Sequence, residues 1–153
     1  MTQILNKYVW VYLLYRKEAL MRLFYFIYNW SRKFKGGVFL LRVLYGFECP
    51  RKAKIGENVT FEHRGLGTVV SSNAIIEDNV TIQHHVTLGI KNADDRIIIH
   101  ENCFIGAHAF ILGNVEIGAN SKIGAGAMIL HDVPAGSTVV NPVELKIINK
   151  TRS

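Results

Sequence analysis

Between residues 99 and 133 the apolar positions recur every sixth residue: Ile99, Ile105, Ile111, Ile117, Ile123 and Ile129 share one phase. Four residues after each stands a small or slim side chain: Cys103, Ala109, Val115, Ser121, Ala127 and Val133. A helix needs apolar recurrence near 3.6 and a half-buried strand needs about 2, so this spacing fits neither. It fits a short strand and a tight turn repeated, which predicts a parallel β-helix whose units bury their apolar residues only by stacking on one another. A second register runs through Val70, Ile76, Ile82 and Leu88, with Ala74, Val80 and Val86 as the partners. A first, imperfect coil is signalled by Ile55, Val59 and Phe61, after a turn at Pro50. The phase slips twice, predicting excursions at about Arg64–Gly67 and Gly89–Ile97. Interruptions of a solenoid project as loops, and such loops often carry binding residues.

The pattern before residue 46 is different. Tyr8–Leu14 and Leu23–Trp30 are apolar and aromatic runs separated by Arg16, Lys17, Glu18 and Arg22. Helix formers are dense there, which predicts helix as far as Gly36-Gly37, then a short helix over Val38–Tyr45. The interrupting charges argue against a membrane-spanning segment, and the order of charge and apolar block argues against a secretory signal. Two roles compete for this arm: packing against the β-helix or its symmetry mates, or lying on a membrane surface through residues 8–35. The expected organisation is a helical arm over 1–45, a β-helix over 46–147 and a tail over 148–153.

Charge sharpens that division. The formal net charge of +6 is unevenly spread: residues 1–54 carry about +9 and the remainder about −3. A basic arm on a mildly acidic body suggests an anionic surface as its partner. No nucleic-acid recognition motif accompanies it. The two cysteines, Cys49 and Cys103, form neither a disulfide framework nor a metal-ligand spacing, consistent with a reducing cytoplasm.

The candidate chemistry gathers at the interruptions. His63 precedes the first excursion; His84 and His85 lie one coil onward. Glu48 falls on the incomplete coil beneath His63, where a carboxylate would orient an imidazole and stabilise its charged form. A histidine, with an ordinary pKa near 6.5, suits proton abstraction from an alcohol. His63, His84, His85, His100, His108 and His131 lack a compact zinc spacing, so no metal is expected. The glycines at Ile105-Gly106-Ala107 and Ile123-Gly124-Ala125 either make tight solenoid turns or admit a thin ligand along the coil edge.

These segments resemble the serine acetyltransferase branch of the hexapeptide-repeat acyltransferases, and most nearly the short members that acetylate exopolysaccharide sugars. The resemblance covers about residues 46–147. It rests on Gly46-Phe47-Glu48, Phe61-Glu62-His63, Ile82 to Gly89, Phe104 to Ala107, Ile111 to Asn114, Ile117 to Gly126 and Asp132-Val133-Pro134. It implies a mainly β fold, a left-handed parallel β-helix with a short N-terminal helical arm, assembled as a homotrimer with sites in the grooves between prisms. It implies acetyl-CoA as co-substrate, His63 as catalytic base and Glu48 as its orienting acid. Glu62, His84, His85 and Arg96 would meet the acceptor, and Gly106, Ala107, Gly124, Ala125 and Lys146 the CoA.

Departures from the branch bear on the acceptor. Asp95-Arg96 is followed by Ile97 rather than by a second histidine, Asn141-Pro142-Val143-Glu144 replaces a Gly-x-Pro-Ala segment, and no terminal isoleucine is available for docking into a cysteine synthase. The expectation drawn from these departures is a sugar hydroxyl of a glycan precursor, with the enzyme cytoplasmic and the arm near the inner face of the membrane. Free L-serine is the alternative acceptor, and a non-catalytic trimeric scaffold the alternative outside enzymes.

Overall fold

The structure, a computed structural model, describes residues 19–30 and 37–141. Residues 19–30 are helical (α1) and are followed by helix α2, Gly37–Tyr45. Gly46, in the left-handed region at φ 62°, ends α2 by donating its N–H to the Arg42 carbonyl at 2.9 Å. Among the described residues, thirteen short strands then wind around three faces. The first face holds β1 (Lys54–Ile55), β4 (Ala74–Ile76), β7 (Ile97–Ile99) and β10 (Val115–Ile117). On the second lie β2 (Thr60–Phe61), β5 (Thr81–Ile82), β8 (Phe104–Ile105), β11 (Lys122–Ile123) and β13 (Thr138–Val139). The third is formed by β3 (Val69–Val70), β6 (Thr87–Gly89), β9 (Phe110–Leu112) and β12 (Met128–Ile129). Every pairing is parallel, and each strand meets its equivalent one coil away, as in Ile82 opposite Ile105 and Leu88 opposite Ile111. The result is a left-handed β-helix of about four turns.

The six-residue phase is the inward phase. Ile99, Ile105, Ile111, Ile117 and Ile123 are fully buried, Ile129 nearly so, and their small partners from Cys103 to Val133 are buried with them. Each such isoleucine contributes roughly 1.5–3 kcal/mol by leaving water. The buried Ser121 is satisfied, its hydroxyl donating to the Pro134 carbonyl at 2.9 Å. Both cysteines are buried free thiols. The corner between the first and second faces repeats one conformation: Asn58, Asn79, Asn102, Asn120 and Gly136 all have positive φ.

Among the described residues the first coil has no coil beneath it, and α1 closes that end. Phe24 and Tyr28, one turn apart on α1, are buried against Phe47 (ring centroids at 5.5 and 5.8 Å), and Phe47 packs on Phe61 at 5.0 Å. For these described residues the arm therefore packs on the β-helix. Residues 1–18, which include the Tyr8–Leu14 run, and residues 31–36 lie outside the described residues, and with them much of the expected membrane-facing stretch. Among the described residues no helix is long and apolar enough to cross a membrane.

One charged staple spans three coils of the first face. His100 Nδ1 lies 3.0 Å from Glu77 Oε2, and its Nε2 lies 2.6 Å from Glu116 Oε1. Hydrogen bonds to Glu116 and then to Glu77 hold the imidazole pKa above its ordinary value. A raised native pKa means the stabilisation is complete below the unfolded value near 6.5 and is lost as pH rises through the native one. Melting curves of the wild type and His100→Gln should differ most at about pH 5.5 and converge at about pH 9. A difference that grows with pH would refute the assignment.

Candidate active site

The corner between the second and third faces gathers four histidines from three coils. After β2 the chain enters a 3-10 turn over Glu62–Gly65 in which His63 (φ 52°), Arg64 (φ 61°) and Gly65 (φ 64°) are all left-handed. Left-handed backbone costs a non-glycine residue roughly 1–2 kcal/mol. Gly65 is required there twice over, since a Cβ would also overlap the buried Phe47 ring. The turn carries His63 out into solvent, with Glu62 and Arg64 half-buried on either side. Arg64 lies 5.7 Å above the Tyr45 ring.

One coil on, His84 meets His63 edge-to-face at 4.8 Å, and His85 follows with φ 57°. Gly67 makes room for His85, because a Cβ at Gly67 would overlap that imidazole. A further coil on, His108 (φ 58°) stacks on His85 at 4.8 Å and 10° and approaches His84 at 5.5 Å. Backbone bonds lock this column: His85 N–H donates to Leu66 O at 2.8 Å, His108 N–H to His84 O at 3.1 Å and Gly126 N–H to Ala107 O at 2.8 Å. His84, Ala107 and Ala125 thus occupy one position of successive turns, and His85, His108 and Gly126 the next.

Burial, and then the charges of His63, His108 and His85, pull the His84 pKa below its ordinary value, so His84 is neutral at pH 7. Its Nδ1 is buried without a hydrogen-bond partner. Among the described residues no group of three or more His, Cys, Asp or Glu is arranged to hold a metal ion.

The remaining expected residues divide. Glu48 is bridged to Val69 at the start of the third face, and its carboxylate contacts Arg42 Nε at 3.5 Å. No hydrogen bond joins it to His63 among the described residues. Arg96 lies on the opposite edge of the third face, in the loop between β6 and β7, at a cleft of about 380 Å³ with Lys52, Lys54, Asn73 and Asp94. That loop is ordered by Asp95, whose carboxylate accepts the N–H groups of Lys91 at 3.0 Å and Asn92 at 2.9 Å. Gly106 is explained by coil stacking, since a Cβ would lie 2.6 Å from Ala125 N; at Gly124 the fit is looser, with Val140 Cγ1 at 3.0 Å and Val139 O at 3.1 Å. Ala125 and Gly126, by contrast, are exposed on the histidine corner. Lys146 lies outside the described residues. Sequence reasoning missed His108 as a site residue. Its signal was the spacing: subtracting the Gly89–Ile97 excursion places it directly over His85.

Residues 96–131 match the family model for the bacterial transferase hexapeptide (six repeats). The serine acetyltransferase of Salmonella typhimurium is 44% identical over 104 residues, covering 66% of this chain and 37% of that protein. That of Buchnera aphidicola is 35% identical over 138 residues, covering 86% of this chain and 52% of that protein. Among solved structures, Neisseria gonorrhoeae serine acetyltransferase in complex with serine superposes with a TM-score of 0.66 at 36% identity, covering 79% of this chain and 51% of that one. The chain spans about a third to a half of the length of the curated relatives it matches.

These likenesses overturn the expectation of a sugar acceptor, because the relatives found at 35–44% identity are serine acetyltransferases. The departures that favoured a sugar concern a loop and a tail. The shortened loop still presents Arg96, and the tail beyond Asn141 lies outside the described residues. The likenesses lend no support to the expected membrane contact of the arm. The chain is thus similar to hexapeptide-repeat acyltransferases, serine acetyltransferases among them.

Proposed function

We propose that the protein is an acetyl-CoA-dependent serine O-acetyltransferase. The observation that carries this reading is His63, raised on a left-handed turn beside Glu62, in a chain similar to serine acetyltransferases over most of its length. The imidazole accepts the proton of the serine hydroxyl as its oxygen attacks the thioester carbonyl. The carbon–sulfur bond then breaks, and the imidazolium returns the proton to the departing thiolate. Ala107, Ala125 and Gly126, in the turns above His84 and His85, leave a narrow open edge suited to the pantetheine arm.

A free amino acid carries one ammonium and one carboxylate, and Glu62 and Arg96 are complementary to them. Within one chain these two residues stand at opposite edges of the third face. The outward side of that face is an apolar ladder of Val69, Thr87, Phe110 and Met128, with Val69 38% and Met128 61% exposed. In a trimer that turns this face toward the three-fold axis, the histidine corner of one chain meets the Arg96 loop of the next, and the acceptor site is completed between copies.

The test is acetyl transfer by the full chain. Thiol release from acetyl-CoA should depend on L-serine and yield O-acetylserine, and light scattering should give the mass of three chains. Absence of serine-dependent release would overturn the reading, and failure to bind CoA in calorimetry would favour a non-catalytic scaffold.

A further inference from the structure

We propose that Tyr25 of α1 is a positioning residue for the catalytic turn: its phenol oxygen closes the open edge of β2 and holds the strand that delivers His63. This rests on the reading of His63 as the base. β2 is the last strand of the second face, with no coil beneath it. Its Thr60 N–H reaches the next coil, donating to Val80 O at 2.9 Å. The Phe61 N–H has no preceding strand to meet and donates instead to Tyr25 Oη at 3.0 Å. A backbone donor at a partly buried edge must find a partner, and here a side chain from the arm takes the place of a missing coil.

Two residues beyond that bond stands His63. The phenol is held in turn: Phe24 packs edge-to-face on the Tyr25 ring at 5.2 Å, and Phe24 and Tyr28 anchor α1 in the aromatic plug. Burial raises the phenol pKa, with the Glu62 charge adding to the rise, so Tyr25 stays a neutral hydroxyl in the working range of a histidine base. Glu62 follows Phe61 directly in the chain, so the bond to Tyr25 holds the strand next to the residue assigned to the acceptor and two residues from the base. On its outer side Tyr25 lines an open groove of about 580 Å³ with Met21, Arg22, Phe26 and Asn29. The arm then serves as part of the site's frame as well as a cap on the coil.

Tyr25→Phe keeps the ring and its contacts and removes only the acceptor. With L-serine and acetyl-CoA its kcat should fall about tenfold, with the KM for acetyl-CoA unchanged and a melting temperature within a few degrees of wild type. Tyr28→Phe keeps the ring that packs on Phe47 and Phe61 and removes a hydroxyl that lies 4.0 Å from Cys49 Sγ; it should keep full kcat. A Tyr25→Phe kcat within twofold of wild type overturns the proposal, as does an equal loss in Tyr28→Phe, which would mean the helix acts only through stability. His63→Asn separates the two readings. If that variant is inactive while Tyr25→Phe is unimpaired, only the role of Tyr25 fails; if it is active, the assignment of the base fails.

Discussion

His63→Asn should lower the turnover of acetyl-CoA and L-serine by about 10²–10⁴, the usual contribution of a positioned general base. Asparagine is the informative replacement because His63 sits at φ 52°, in the left-handed region that asparagine tolerates better than alanine. The turn should survive, since the residues that force it are Gly65 and Phe47 rather than the exposed imidazole. Melting temperature and CoA affinity should therefore match the wild type, leaving the loss in kcat alone. Full residual activity would remove His63 from the mechanism and leave the remaining histidines of the corner to be tried in its place.

Gly65→Ala should cost roughly 3 kcal/mol of stability. About 1 kcal/mol arises from placing a Cβ at φ 64°, and about 2 kcal/mol from forcing that Cβ into the Phe47 ring. Phe47 cannot retreat cheaply, because Phe24, Tyr28 and Phe61 all pack on it. In a chain of this size the loss amounts to a fall of about 6–12 °C in melting temperature. Differential scanning calorimetry reads it directly, and a shift of under 2 °C would show that the turn is softer than its contacts imply. Activity should fall as well, because the same displacement moves His63.

The period of six was legible because it encodes a burial rule: one inward apolar residue per strand and one slim residue per corner. Ile99 to Ile129 obey it without exception, so the coil, its parallel pairing and both excursions could be read from spacing alone. The hand of the helix could not, since inward and outward positions alternate identically in either hand; only the resemblance supplied it. The purpose of Gly106 was ambiguous because a glycine that lets a neighbouring coil approach and one that admits a ligand leave the same letter. Burial separates them: Gly106 faces the next coil, while Gly126 faces open space.

The acceptor was misread for a related reason. Ile97 in place of a histidine and the altered tail are differences in sequence, but Arg96 still stands on an ordered loop, and charge complementarity to an amino acid depends on where Arg96 and Glu62 stand. Spacing could not reveal that they lie on opposite edges of one face. Nor could it show Tyr25, whose importance comes from a backbone donor left over at the start of a solenoid.

The left-handed residues of the corner have a consequence for what the site can be made of. In each coil the turn demands positive φ at one position, occupied by His85, His108 and Gly126, and the excursion makes the same demand of His63. Few side chains accept that backbone readily; glycine does, with asparagine, aspartate and histidine next. Of these, only histidine titrates near neutral pH. The geometry of the corner thus restricts the alphabet available to it, and an imidazole is the one neutral-pH proton carrier that this backbone can present at small cost.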